Sequence, residues 1–237
     1  MLDPKLTTFV VIAHGQRLDW VESLRQKGFP VEVIHKGDII PNIGKEEFGY
    51  ASFIIDNYDS LKNDYVFCHH DILLHVCKHM NPPVPKDGLM NKLWEKIDYS
   101  KNGRFCNFGN YFIATDPIEM KSMLDIYRKL LDKDPPSVLI SCQGAQHMVS
   151  AERIQSYNLG WWKDFQDYVI ELDRRKKQSH HLKVNVGEIF CRLWEELYIP
   201  EEIASIRGNM TPEECKVWLV NNSDGLTKEG ITYMPKE

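Results

Sequence analysis

The feature that most constrains the fold is an apolar run near the start of the chain, "TTFVVIAHG" at residues 7–15. A continuous β-rich run that closes at a glycine is typical of a strand buried on both faces of a sheet. Residues 18–28, "LDWVESLRQKG", follow with apolar positions at helical spacing, and residues 30–38, "PVEVIHKGD", alternate like a second strand. Strand, helix and strand within about thirty residues predict a βαβ unit with a right-handed crossover.

The same order of elements continues into a third strand. Residues 46–61 have apolar positions on one helical face, and "NDYVFCHHD" at residues 63–71 is an apolar run that ends in polar side chains. We therefore expect an α/β protein with an open, mostly parallel, twisted sheet and helices on both faces. Such sheets bind ligands at the carboxyl ends of their strands. Two polar stretches stand at carboxyl ends here: "AHGQR" after the first strand and "HHD" after the third.

The second half of the chain is less regular. "GRFCNFGNYFIATD" reads as strand material interrupted by a glycine, and residues 117–134 as an amphipathic helix with Pro117 in its first turn. "SVLISCQGAQHMVS" at residues 137–150 predicts one further strand, which one or two helices follow. We expect one compact domain over residues 1–200 and a C-terminal appendage over residues 201–237.

Composition narrows the classes of function. The formal net charge of −5 gives no electrostatic reason to expect nucleic-acid binding. The first apolar run is too short for a signal peptide or a membrane span, and no later run is long enough to cross a bilayer. The six cysteines form no CxxC pair and are predicted to be reduced thiols. These features favour a cytoplasmic protein without a membrane span.

The tip of the third strand carries the densest set of metal-capable side chains: His69, His70, Asp71, His75 and His79. A hard cation beside a phosphate would use the carboxylate of Asp71 first, whereas zinc would use the imidazoles. His75 and His79 share one face if a helix runs there. The alternative is that a His–His pair leaving a strand only meets solvent or caps a neighbouring helix.

Three other places could contribute to a site. Lys45 and Glu46 stand at a predicted helix start, where backbone amides and a lysine suit an anionic group, although a solvated lysine and a carboxylate favoured by the helix dipole explain them as well. Gln146 and His147 are polar residues in a predicted core strand and could line a pocket. Glu188 begins an apolar helix and is either a general base or an ordinary first-turn residue.

These stretches resemble known proteins. A βαβ start followed by a strand written "DYVFCHHD" resembles the nucleotide-sugar domain of type A (GT-A) glycosyltransferases, in which a strand ends in Asp-x-Asp. Residues 41–71, "GAQHMVSAERI" and "GEIFCRLWEELY" resemble a narrower family of domains from fungi, algae and large DNA viruses, which includes glycosyltransferases that decorate a viral capsid. The chain departs from the type A motif at its first carboxylate, because His69 stands where that motif has Asp.

The resemblance implies a transferase that moves a sugar from a nucleotide-diphosphate donor to a glycan or glycoprotein acceptor. In that case Asp71, helped by His69, holds Mn²⁺ or Mg²⁺ against the diphosphate, and Glu188 deprotonates the acceptor hydroxyl if the enzyme inverts. The remaining residues expected to contact the donor, with the last two facing the sugar or the acceptor, are Ala13, His14, Gly15, Arg17, Lys45, Glu46, His70, Gln146 and His147.

Two rival functions stay open on the sequence alone. A zinc-dependent hydrolase would use the histidines at positions 69, 70, 75 and 79 together with Asp71, and it explains the histidines better than the transferase does. A non-catalytic carbohydrate- or protein-binding module on a transferase fold needs none of these residues for catalysis. Bound zinc would favour the hydrolase, nucleotide-dependent manganese the transferase, and neither metal the binding module.

Overall fold

The protein is described from a computed structural model. The structure describes residues 3–14, 18–72, 105–107, 111–114, 124–136, 138–142, 146–178, 193–194, 197, 210–222 and 231–233. Within these ranges the strands are β1 (Thr7–Ala13), β2 (Val31–His35), β3 (Asp64–His69), β4 (Phe105–Asn107), β5 (Tyr111–Ala114), β6 (Leu139–Cys142), β7 (His147–Ser150) and β8 (Ile231–Tyr233). The α-helices are α1 (Asp19–Gln26), α2 (Lys45–Asn57), α3 (Ala151–Gln155), α4 (Leu159–Gln178) and α5 (Pro212–Asn222). A 3₁₀ turn covers Tyr58–Ser60, and a π-helical segment covers Tyr127–Leu131.

Five strands form the main sheet in the order β2-β1-β3-β7-β4. β1 pairs in parallel with β2 on one side and with β3 on the other, with Ala13 opposite His35 and Ile12 opposite His69. β7 runs antiparallel to both β3 and β4, so four of the five strands share one direction. The predicted βαβ start and the mostly parallel α/β sheet are therefore confirmed.

Helices cover both faces of this sheet, because strand residues alternate between two apolar clusters. Val10 and Ile12 of β1 join a cluster with residues of α2 and α4, whereas Phe9 and Val11 pack with Val21 and other residues of α1. The two crossovers explain this arrangement. A right-handed connection from β1 to β2 and another from β2 to β3 step in opposite directions along the sheet, so α1 and α2 lie on opposite faces.

A second sheet has three strands in the order β6-β5-β8. β5 pairs antiparallel with β6 and in parallel with β8, so residues near the C-terminus complete this sheet. Ile113 of β5, Val138 and Cys215 of α5 are buried together. The proposed division at residue 200 stays a prediction. Among the described residues, no helix combines the length and apolar character needed to cross a membrane.

One predicted strand is wrong in extent. Residues 137–150 were expected to form a single strand, but the structure has two, β6 in the small sheet and β7 in the main sheet. The polar interruption "QGAQ" lies between them. Both halves are strand-like in composition, and the alternation of apolar residues cannot say which sheet each half joins, since that depends on distant partners.

Candidate functional site

The order of the strands reverses between β1 and β3, because β2 lies on one side of β1 and β3 lies on the other. In open α/β sheets this switch point opens a crevice at the carboxyl ends of the strands, where ligands bind. We call this region the carboxyl edge. It consists of the ends of three parallel strands, the first turn of α2 and the residue before the antiparallel β7: Ala13–His14, Lys36, His69–Asp71, Lys45–Phe48 and Gln146. The described residues of both polar stretches that the sequence singled out lie at this edge.

His69 is held by both ring nitrogens. Its side chain is almost completely buried, with 6% of the residue exposed. Nδ1 contacts Oδ1 of Asp71, and Nε2 contacts the side-chain amide nitrogen of Gln146. Gln146 is 1% exposed and precedes β7, whose first residue lies opposite Phe67 of β3. The structure therefore brings together three residues that the sequence had assigned to two different tasks.

Asp71 is the part of this cluster that reaches solvent, with about 30% of its side chain exposed. The residue before it, His70, is held by two hydrogen bonds to its backbone. The amide of His70 donates to the carbonyl of Ile12 at 3.0 Å, and the indole nitrogen of Trp20 on α1 donates to the carbonyl of His70 at 2.9 Å. A carboxylate thus stands on a rigid tip at the switch point.

The loop after β1 begins beside Lys36. Ala13 is fully buried, so its side chain presents no surface to a ligand. His14 is exposed, and its Nδ1 lies 3.4 Å from the carbonyl oxygen of Lys36. The amide of Lys36 donates to the carbonyl of Ala13 at 2.9 Å. Gly15 and Arg17 lie outside the described residues.

The first turn of α2 reaches the same edge. Gly44 precedes it with φ of 55°, and Lys45 follows with φ of 49°, so two successive residues are left-handed. The buried ammonium of Lys36 donates to the carbonyl oxygen of Lys45 and holds this turn. The Lys45 side chain is exposed and Glu46 is half-buried, so both predicted donor contacts lie at the surface.

Sequence reasoning missed two charged residues here. Glu47 is completely buried, and no other described residue donates a hydrogen bond to its carboxyl oxygens. Burial raises its pKa well above the ordinary value, with a further contribution from Glu46, while its own backbone N–H, Lys45 and Lys36 act in the opposite direction. Burial also lowers the pKa of Lys36, against the attraction of Glu46 and Glu47. Nothing in "IHKGD" or "GKEEF" indicates burial, because both stretches look like solvated loops and helix starts.

His147 lies in the core and not at the surface. It is 0% exposed, and its ring stacks at 4.8 Å between centroids on Trp194 and at 5.3 Å on Phe67. Tyr50 of α2 meets the same ring edge-on at 5.7 Å. Gln146 and His147 are thus both below the surface, and their predicted contact with the sugar or acceptor stays a prediction. Glu188, His75 and His79 are not among the residues that the structure describes.

The metal chemistry of the carboxyl edge follows from these contacts. No group of three or more His, Cys, Asp or Glu side chains able to hold a metal ion occurs within the described part of the chain. A zinc site built from imidazoles gains nothing from His69, whose two nitrogens already contact Asp71 and Gln146. A hard cation that keeps its waters and is shared with a phosphate needs only one or two protein carboxylates, and Asp71 fits that requirement.

The described residues define an α/β protein with an open, mostly parallel sheet, helices on both faces, and a carboxylate at its switch point. Comparison of the chain with models of protein families, with curated proteins and with solved structures found no match.

Proposed function

We propose that the chain is a nucleotide-sugar-dependent glycosyltransferase of the type A kind, which binds its donor at the carboxyl edge. The observation that carries this proposal is Asp71, a partly exposed carboxylate on a rigid strand tip at the switch point of an α/β sheet. This is where open α/β sheets bind nucleotides. It is also where a diphosphate-bound cation requires an oxygen ligand.

The residues around Asp71 lie on two sides of the switch point, and each side would contact a different part of the donor. On the β1 side, the exposed His14 lies where the base and ribose would bind, and Lys45 and Glu46 offer polar side chains at the first turn of α2. On the β3 side, Asp71 and His70 face the diphosphate. Exposed backbone amides at a helix start favour anionic groups, which adds to the attraction of Lys45 for phosphate.

Asp71 would hold the divalent cation, Mn²⁺ or Mg²⁺, in this proposal. When bound, such an ion neutralises the negative charge that develops on a diphosphate leaving group. Asp71 contributes a negative charge in a fixed position, and the rest of the tip keeps that position through the backbone hydrogen bonds of His70. The acceptor would be a glycan or glycoprotein, and Glu188 is the proposed base for its hydroxyl.

The test is a thermal-shift measurement with UDP and with GDP, each with and without Mn²⁺. We expect one of these nucleotides to raise the melting temperature, and to raise it more with Mn²⁺. A ligand that binds only the folded state adds about 2.7 kcal/mol of stability at a hundredfold excess over its Kd. Asp71→Asn should abolish the part of the shift that depends on Mn²⁺, because the amide keeps the shape of the carboxylate and loses its charge.

The matched control is Asp59→Asn, which removes an exposed carboxylate from the 3₁₀ turn before β3, at the opposite end of that strand. This variant should keep the full effect of Mn²⁺. The proposal fails if neither nucleotide stabilises the protein, or if Asp71→Asn responds to Mn²⁺ as strongly as the unmodified chain.

A further inference from the structure

The environment of His69 suggests a role that differs from metal ligation. The ring is buried at the end of β3, with Gln146 on one nitrogen and Asp71 on the other. A neutral imidazole has one nitrogen that donates and one that accepts. A carboxylate oxygen of Asp71 can only accept, so its contact with Nδ1 indicates that the proton of the ring resides there. Nε2 is then the acceptor, and the side-chain amide of Gln146 is the donor that faces it. Nδ1–H then donates to the carboxylate of Asp71.

We propose that His69 is a positioning residue, which orients Asp71 through Nδ1–H, and that Gln146 fixes the tautomer required for this. The inference rests on the proposed function, since it assigns these two residues to the support of the same donor site. Both ring nitrogens are engaged, so His69 offers no lone pair to a cation. Asp71 is then the one protein ligand that this cluster supplies, and a nucleotide diphosphate and water provide the others.

A supporting residue of this kind affects affinity without touching the ligand. Partners that orient a metal-binding side chain typically change metal affinity by about 10–100-fold when they are removed. Gln146 is suited to this role because it is 1% exposed and immediately precedes β7. β7 is paired along its length with residues 64–67 of β3. A buried amide on a paired strand cannot turn away from the ring as easily as a surface side chain could.

Two substitutions separate positioning from ligation. In His69→Asn the side-chain amide occupies the place of Nδ1 and can still donate to Asp71. In His69→Gln the amide reaches the place of Nε2 and leaves Asp71 without its donor. We expect the Mn²⁺-dependent affinity for the nucleotide to stay within about threefold in the Asn variant and to fall about tenfold or more in the Gln variant. The affinity for the nucleotide without metal should be the same in both variants. The opposite order, with Gln retained and Asn lost, would make His69 a ligand through Nε2 and overturn the proposal.

A second measurement needs no nucleotide and no change at His69. Long-range ¹H–¹⁵N correlation spectra of the protein labelled at its nine histidines report the tautomer of each ring. The His69 signals are assigned by their absence in the His69→Asn variant. We expect Nδ1 of His69 to be protonated and Nε2 to be unprotonated, and this pattern to persist with Mg²⁺ added.

Removing both partners, in the double variant Asp71→Leu, Gln146→Leu, should abolish that preference, because leucine can neither accept from Nδ1–H nor donate to Nε2. A His69 ring protonated on Nε2 in the unmodified protein, or a tautomer that the double variant leaves unchanged, would overturn the proposal. These outcomes are independent of the nucleotide experiment. If neither UDP nor GDP binds, the proposed function fails, and the tautomer still decides whether Gln146 and His69 orient Asp71.

Discussion

Glu47 is an ionisable residue in surroundings that disfavour its charged form. A carboxyl group that is completely buried and accepts no hydrogen bond from another described residue is expensive to ionise. The folded protein therefore keeps it protonated at pH values where the unfolded chain releases the proton, in agreement with its raised pKa. Lys36, which is also buried, lies near enough to lower that pKa without removing the effect of burial.

The first prediction concerns the pH dependence that Glu47 imposes on stability. Between the ordinary pKa of a glutamate and the raised pKa in the fold, the native state binds more protons than the unfolded state. The free energy of unfolding then falls as pH rises, by at most about 1.4 kcal/mol per pH unit for one group. The stability that protonated Glu47 contributes is fully present below the ordinary pKa of a glutamate. It is lost as pH rises through the raised pKa of the folded state. Glu47→Gln cannot ionise, so this decline should be absent from it in urea unfolding measured from pH 4.5 to 8.

Asp59→Asn is the control for this experiment, since it removes an exposed carboxylate from the 3₁₀ turn after α2 that is not one of the charges shifting the pKa of Glu47. The difference in stability between Glu47→Gln and the unmodified protein should grow in favour of the variant as pH rises, while the Asp59→Asn difference should not follow that course. Parallel pH profiles for the unmodified chain and Glu47→Gln would show that Glu47 ionises normally in the fold.

At this scale the sequence predicted positions better than contacts. It placed His69 and Asp71 at a strand tip, because an apolar run that ends in polar residues marks the end of a buried strand. The contact between His69 and Gln146 joins residues 77 positions apart, and no local pattern reports such a pairing. The surroundings of Glu47 were missed for a similar reason, since they include Lys36 from after β2, eleven positions away.

At the scale of elements, the start of α2 is determined by its close approach to α4. A Cβ atom added to Gly44 would overlap Cγ1 of Val169 on α4, and Gly44 also has φ of 55°. Both features require a glycine. The approach brings α4 against the start of α2, the turn that carries Lys45 and Glu46 to the carboxyl edge.

The second prediction tests whether α4 can move away from the start of α2 to accommodate a side chain at position 44. Gly44→Ala should lower the free energy of unfolding by about 2–4 kcal/mol, as the sum of the left-handed backbone and the overlap with Val169. Gly37→Ala is the matched control: Gly37 also has positive φ, of 92°, but an added Cβ would meet nothing within 4 Å. Its cost should be about 1–2 kcal/mol, from the backbone alone. Equal costs in urea unfolding would mean that α4 moves aside without loss.

The elements that were predicted correctly are those with strong local signals. β1, α1, β2, α2 and β3 have long apolar runs or helical spacing, and all five occur as expected. The segment of residues 137–150 was predicted as one strand because its apolar residues are continuous with a short polar interruption. Its division between two sheets follows from the pairing of β6 with β5 and of β7 with β3, which only the fold decides.

At the scale of the whole molecule, the two sheets depend on each other through short connections. β4 of the main sheet is followed by β5 of the small one after residues 108–110, and β6 of the small sheet precedes β7 of the main one by residues 143–146. The small sheet has strands of only three or four residues. A sheet of strands this short is stable only when an apolar face packs against other elements. β4 and β7 are each joined to a strand of the small sheet, so we expect loss of the small sheet to weaken their pairing in the main sheet.

The third prediction is therefore that damage to the small sheet destabilises the entire fold. Ile113 is 1% exposed and packs with Val138 and Cys215, so Ile113→Ala should cost about 2–5 kcal/mol. Val217→Ala on α5, at a position 48% exposed, should cost little. Tryptophan fluorescence, with Trp162 and Trp194 buried beside the main sheet, and far-ultraviolet circular dichroism should report one shared transition in urea. A separate early transition in Ile113→Ala that leaves the fluorescence midpoint unchanged would mean that the main sheet holds without the small one. The carboxyl edge would then depend on the main sheet alone.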